Sequence, residues 1–185
     1  MPMLGMTCRR AAVFASAVLL GVTVAKAEDV VRTPLPDGNP FPISAAVTVP
    51  AGYDTVYVSG ALPSVLNKDA PKGSVEAYGD MATQAESALT NIKASLAKLG
   101  LGMGDVVKMT VFMVADPTKD NKLDFAGLMT GYTKFFATAE QPNKPARSAV
   151  QVAALVVPGA LVEIEVIAVR PHKAETHHGK AHKAS

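Results

Sequence analysis

Hydrophobic positions along this chain follow two periods, and the change from one to the other marks out the elements. From residue 81 to 99, Met81, Ala85, Ala88, Leu89, Ile92, Leu96 and Leu99 recur at helical spacing on a single face. Asp80 stands before the run as an N-cap and Gly100 follows it as a C-terminal stop, so a helix is predicted over 81–99. A second helix is predicted over 123–138, with Leu128, Met129, Tyr132, Phe135 and Phe136 as its buried stripe. Residues 106–114 are almost continuously apolar and end at Asp116-Pro117, which predicts a central strand. Two shorter strands, 43–49 and 55–59, are expected on either side of Pro50-Ala51-Gly52. Near the end, the runs 146–156 and 161–169 flank Pro158-Gly159 in the manner of a hairpin. Alternation in the second run puts Val162, Ile164, Val166 and Ala168 on one face and Glu163 and Glu165 on the other.

The order of elements is ββ-α-β-α-ββ, which predicts an α+β fold: a single mixed β-sheet with two helices packed on one face. The loops 61–79, 118–122 and 141–145 join these elements, and the last of them delivers Arg147. The face away from the helices is expected to carry Lys108, Thr110, Gln151, Glu163 and Glu165 among Val, Ala and Ile. Such a half-polar face suits water in a monomer, or closure by other copies of the chain in a ring. Periodicity does not choose between them.

The termini have a different composition. Arg9 and Arg10, the apolar run 11–24 and the small-residue pattern Ala25-Lys26-Ala27 have the order of a secretory signal peptide, residues 1–27. The apolar run is short for a membrane span, so export to the periplasm and no membrane association after cleavage are expected. Cleavage after Ala27 removes Cys8, the one cysteine, along with Arg9, Arg10 and Lys26, which turns a net charge of +2 into −1. Residues 28–42 are rich in Pro and Gly and read as an extended arm, residues 43–169 as the folded domain. Residues 170–185 hold all four histidines and read as a solvated, disordered tail. Hydrophobic content is 49% and aromatic content 5%, so the core is expected to be built of Ala, Val, Leu and Met. No basic block interleaved with aromatics stands in the body of the chain, which argues against nucleic-acid binding.

The residues that could carry chemistry are few. Arg147 opens a strand just after Pro145, and the carboxylates of Glu163 and Glu165 are expected on the neighbouring strand. This suits a small-molecule site; the plainer alternative is an ion pair on a solvated face. The turn at Ser59-Gly60 allows close approach of backbone to a ligand.

Several segments together resemble one family. They are Val58-Ser59-Gly60, the run from Gly104 to Phe112, Tyr132-Thr133-Lys134-Phe135-Phe136, Pro145-Ala146-Arg147-Ser148 and the run from Val162 to Ala168. They resemble the Rid (reactive intermediate deaminase, YjgF-like) family over about residues 42–169. The resemblance implies a chorismate-mutase-like α+β fold and a homotrimer with clefts between subunits. It implies hydrolysis of 2-imino acids to 2-oxo acids and ammonia, with no cofactor and no metal. Carried over position by position, Arg147 matches the arginine that binds the substrate carboxylate, a task suited to a planar two-point donor. Glu163 matches the residue that positions water, whereas Glu165 matches a position without that role. Ser59, Gly60 and the backbone of Ala149 match the pocket wall. The chain departs from the family pattern at Ile43, Ala61 and Met129, where tyrosine, glutamine and asparagine are usual, and these changes make the expected pocket more apolar. A periplasmic carboxylate-binding protein without catalysis, and a chaperone-like role, are the alternatives.

Overall fold

The computed structural model describes residues 28–172. The expected signal peptide and most of the histidine-rich tail lie outside the described residues. Six strands and two helices follow in order: β1 (Val31–Thr33), β2 (Ala46–Thr48), β3 (Tyr53–Ala61), α1 (Met81–Lys98), β4 (Val106–Met113), α2 (Phe125–Tyr132), β5 (Ala146–Gln151) and β6 (Val162–Pro171).

The four long strands form one mixed sheet in the order β3-β6-β4-β5, antiparallel except for the parallel pair β4–β5. Both helices lie on the same face of this sheet, where α1 packs on β3, β6 and α2. Alternation sorts the strands as expected. Met109, Val111 and Met113 of β4 pair with Val166, Ile164 and Val162 of β6, and all six are buried beneath the helices.

Helix α1 forms where its period and its caps agree. Asp80 accepts a hydrogen bond from the Thr83 amide at 2.9 Å, and Met81, Ala85, Ala88, Leu89, Ile92 and Leu96 are buried. Gln84 is a buried polar exception on the same stripe. Its side-chain amide donates to the carbonyls of Gly79 and Gly159 and accepts from the Leu161 amide at 2.7 Å, so the approach to β6 is fastened to the helix. Gly131 of α2 lies so close to α1 that a Cβ there would come 2.8 Å from the Ala82 carbonyl oxygen and the Ala85 Cβ. That contact needs glycine. Helix α2 is shorter than the predicted 123–138. It begins at its N-cap Asp124, which accepts from the Gly127 amide at 2.8 Å. After Tyr132 the chain tightens into a turn, with the Phe135 amide bonded to the Tyr132 carbonyl at 3.0 Å and Ala137 at φ +59°. This turn buries Phe136 against the Tyr132 ring, with centroids 4.9 Å apart.

Three expectations are corrected. The runs at 146–156 and 161–169 do not form a hairpin: β4 lies between β5 and β6. Strand β5 stops at Gln151, and residues 152–161 cross the end of β4, bonded to it through Val152 to Met113 and Val114 to Leu161. The crossing spans two strand spacings, about 10 Å, which no two-residue turn can bridge. The 43–49 run is strand only at Ala46–Thr48. This strand, β2, pairs with β1 from within the arm, in a separate two-stranded ribbon. Lastly, Gln151 pairs with Met113 and so belongs to the helix side of the sheet; the open face carries Ser148 and Val150 of β5 instead.

Candidate active site

Arg147 is the second residue of the edge strand β5, at the register of Met109, so its side chain enters the helix side of the sheet under α2. The loop that leads to it is held by side chains. Arg32 of β1 donates to the carbonyls of Gly104 (2.9 Å), Val106 (3.0 Å) and Lys144 (2.9 Å). Ser44 donates its hydroxyl to the Lys144 carbonyl at 2.7 Å and its amide to the Pro145 carbonyl at 3.0 Å. Gln141 donates to the Phe135 and Asn143 carbonyls and accepts from the Asn143 amide. The arm and the loop therefore fix the backbone one residue before β5 begins.

The guanidinium of Arg147 lies among aromatic rings: 4.4 Å from the centroid of Tyr132, 5.5 Å from Phe41 and 5.8 Å from Phe125. Phe41 and Phe125 are themselves stacked, with centroids 6.2 Å apart. Tyr132 is buried and donates its hydroxyl to the Pro42 carbonyl at 2.8 Å. Cation–π contacts of this kind are each worth about 0.5–2 kcal/mol, and they hold a positive charge without occupying its N–H groups. The two terminal nitrogens of Arg147 both point to one atom, the sulfur of Met129, each at 3.4 Å. A thioether is a weak acceptor. Among the described residues no carboxylate lies within 4 Å of Arg147, so the plainer alternative, an ion pair on a solvated face, is not formed. Burial draws the Arg147 pKa down, with Tyr132 opposing, and a guanidinium starts so far above neutrality that it remains charged. Burial also pushes the Tyr132 phenol up, with Arg147 and Arg32 opposing.

The other expected site residues form two groups. Ala149 lies two residues beyond Arg147 on the same side of the sheet, packed against the core. Ile43 precedes Ser44, which is bridged to Ala146, and it too packs on the core. Of Ala149, Ile43 and Met129, it is Met129 that touches the Arg147 guanidinium, through its sulfur. Ser59 and Gly60 sit at a break in the β3–β6 register, between the pairs Val58–Val166 and Ala61–Ile164. Glu163 is beside them: a methyl added at Gly60 would collide with its carboxylate. Glycine here keeps room for the acid. Glu163 pairs with Phe112 and Glu165 with Thr110, so both acids project from the open face, Glu163 partly buried and Glu165 exposed. A shallow cavity of about 410 Å³ on that face is lined by Tyr57, Ser59, Lys108, Thr110, Glu165 and Ile167.

Within one chain, therefore, Arg147 and Glu163 lie on opposite faces of the sheet. Sequence reasoning found both, but missed Phe41 and Phe125 as the rings around the cation. The sequence offered one signal for them: two of only six phenylalanines, in an otherwise aromatic-poor chain, outside the predicted core stripes.

Residues 39–170 match the model of a family described as Endoribonuclease L-PSP. A RutC family protein from Haemophilus influenzae is 45% identical over 95 residues, covering 51% of this chain and 68% of that protein. A 2-iminobutanoate/2-iminopropanoate deaminase from Escherichia coli is 44% identical over 95 residues, with the same coverage of each. A crystal structure of YyfB from Yersinia pestis, a protein of unknown function in the conserved Rid family, superposes with a TM-score of 0.55 at 25% identity, covering 76% of this chain and 96% of that one.

Proposed function

The chain belongs to the Rid (YjgF-like, endoribonuclease L-PSP) family and shares its chorismate-mutase-like α+β fold, and from that membership we propose that it hydrolyses 2-imino acids to 2-oxo acids and ammonia. The observation that carries the reading is Arg147: a charged, partly buried guanidinium whose paired N–H groups face only a thioether. A carboxylate would replace that weak acceptor with two parallel charge-assisted bonds. Glu163 then takes the second role. It orients a water toward the imine carbon and accepts its proton as the C–O bond forms. Glu163 returns that proton to the nitrogen. The carbinolamine then collapses: its C–N bond breaks with loss of ammonia as the hydroxyl proton leaves and the C=O of the 2-oxo acid forms. One water is consumed and nothing is oxidised. The family likeness to the Escherichia coli deaminase supports this chemistry.

The opposite-face placement of Arg147 and Glu163 supports a trimeric reading. If one subunit supplies Arg147, Met129 and Ala149, a neighbour's open face supplies Ser59, Gly60 and Glu163, and the active site lies at the seam. Within a single chain the two roles stay on opposite faces of the sheet. A ribonuclease role has less support, because residues 28–172 carry twelve Lys and Arg against fifteen Asp and Glu, a poor match for a polyanion. Export is part of the proposal, with a mature chain starting at Glu28; an intact mass that still includes residues 1–27 would refute it.

The test is ammonia and 2-oxo-acid release from freshly generated imine, measured beside light scattering. Accelerated hydrolysis by a species of three chains supports the reading. A monomer at micromolar concentration, or no acceleration over buffer, would overturn it.

A further inference from the structure

We infer that Met129 is a site of reversible oxidation, and that its sulfoxide closes the fork of Arg147 to carboxylates; the inference rests on Arg147 as the carboxylate-binding group proposed above. The sulfur of Met129 lies 3.4 Å from both terminal nitrogens of Arg147. A thioether is a weak acceptor, so the fork is covered without being satisfied, and an anion can displace the sulfur. A sulfoxide is a different group. It turns an apolar side chain into a polar one, and its oxygen carries the partial negative charge that a guanidinium bonds strongly. The side chain that covers the fork then supplies the fork with its own ligand, and a substrate carboxylate has to compete with it.

The same sulfur is the one an oxidant reaches. Of the five methionines in residues 28–172, Met81, Met103, Met109 and Met113 are buried, whereas Met129 is only partly buried. These residues hold no cysteine to compete for the oxidant. A cleft that admits a small carboxylate also admits a hydroperoxide, which is uncharged and no larger. A sulfur lone pair attacks one peroxide oxygen: the S–O bond forms and the O–O bond breaks. The departing hydroxide takes the proton of the transferred oxygen and leaves as water. Sulfur loses two electrons and the peroxide gains two. The guanidinium N–H groups stand where they stabilise the oxygen as its charge grows, and three rotatable bonds let it settle in the fork. Ser59 and Glu163, which a neighbour's open face supplies in the trimeric reading, are unchanged by this step. Oxidation therefore acts on carboxylate binding and leaves the proton-handling group in place. A dithiol, acting through methionine sulfoxide reductases, returns the thioether.

The experiment treats the protein with hydrogen peroxide and locates the added oxygen atoms by peptide mass mapping. Calorimetry with 2-oxobutanoate is run before oxidation, after it, and after repair by methionine sulfoxide reductases A and B with a dithiol. Met129 should take up one oxygen before Met81, Met103, Met109 or Met113. The affinity for 2-oxobutanoate should fall about ten- to a hundredfold in step with it, and repair should restore it. Met129→Leu should show the same affinity before and after peroxide, whatever that affinity is. Unchanged binding once Met129 is oxidised, or the same loss in Met129→Leu, would overturn the inference while leaving the deaminase reading intact. Should Met129→Leu fail to fold or to bind, repair of the wild type decides: binding that stays lost overturns the inference, and binding that returns upholds it. A reversible loss of binding in a protein that hydrolyses no imine would sustain the switch and defeat the deaminase reading. No binding of 2-oxobutanoate by the reduced protein would overturn both.

Discussion

Arg32 and Arg147 are both partly withdrawn from water, and burial draws the pKa of each downward, yet the protein holds them by opposite means. Arg32 meets three backbone carbonyls with three strong hydrogen bonds. Its charge is neutralised by dipoles, its donors are occupied, and it ties β1 to the start of β4 and to the loop before β5. Arg147 meets three rings and one sulfur. Its charge is stabilised from the sides while its donors stay available. The difference teaches how to tell a strut from a binding group: burial and charge are common to both, and the chemistry of the acceptors separates them.

The most direct way to break the comparison is to remove each cation. Arg147→Ala should lower kcat/KM for imine hydrolysis by roughly 30- to several-thousand-fold, the equivalent of about 2–5 kcal/mol. The cost of burying the Arg147 charge offsets the ring contacts it makes, so the urea midpoint of this variant should shift less than that of Arg32→Ala. Arg147→Lys should recover only part of the loss, since an ammonium cannot reproduce the planar two-point geometry. Wild-type turnover and 2-oxo-acid binding in Arg147→Ala would end the assignment. Glu163→Gln sharpens the contrast from the other face of the sheet. Shape is kept and the basic acceptor lost, so turnover should fall about 10²- to 10⁴-fold while calorimetry still reports 2-oxo-acid binding near the wild-type affinity. Loss of both together would assign Glu163 a binding role.

The smaller effects concern stability. Arg32→Ala should invert the pattern of Arg147→Ala, destabilising the fold by about 2–3 kcal/mol, because bonds to a charged donor are worth roughly 1.5–3 kcal/mol each and these are partly wet. Urea denaturation checks it; a shift under about 0.5 kcal/mol would show that the three carbonyls find water without cost. Tyr132→Phe keeps the ring beside Arg147 and removes one hydrogen bond to Pro42. It should cost about 1 kcal/mol of stability and change 2-oxo-acid affinity less than about threefold. A larger fall in affinity would mean that the hydroxyl, through Pro42, holds the arm over the site.

The sequence was legible where the signal was local. α1 declared itself through a long helical period with a cap at each end, and β4 and β6 through their apolar and alternating runs. Arg147 and Glu163 were legible as residues but not as a geometry. Alternation orders side chains within a strand; it says nothing of which strand lies beside which. The expected hairpin made β5 and β6 neighbours, whereas the parallel β4–β5 pair requires a crossover through α2 and sets β4 between them. The cage was hidden for a related reason. Phe41 sits in a Pro- and Gly-rich arm and Phe125 in the first turn of α2, and only tertiary structure stacks them.

The anchoring of the arm has a consequence for the order in which the protein is made. The hydrogen bonds of Arg32 join residues 72 to 112 positions apart, and Ser44 reaches Lys144 across 100. Closing loops of that size is entropically costly until the segments between are already compact. We therefore expect the amides of the β1–β2 ribbon to become protected in pulsed hydrogen exchange after those of α1 and β4; simultaneous protection would refute this. On a ribosome, the arm emerges early and has no place to dock until the residues around Lys144 have been synthesised. The guanidinium of Arg147 is thus enclosed only when the first and last parts of the domain meet, and a chain truncated at its start carries the arginine without its complete cage.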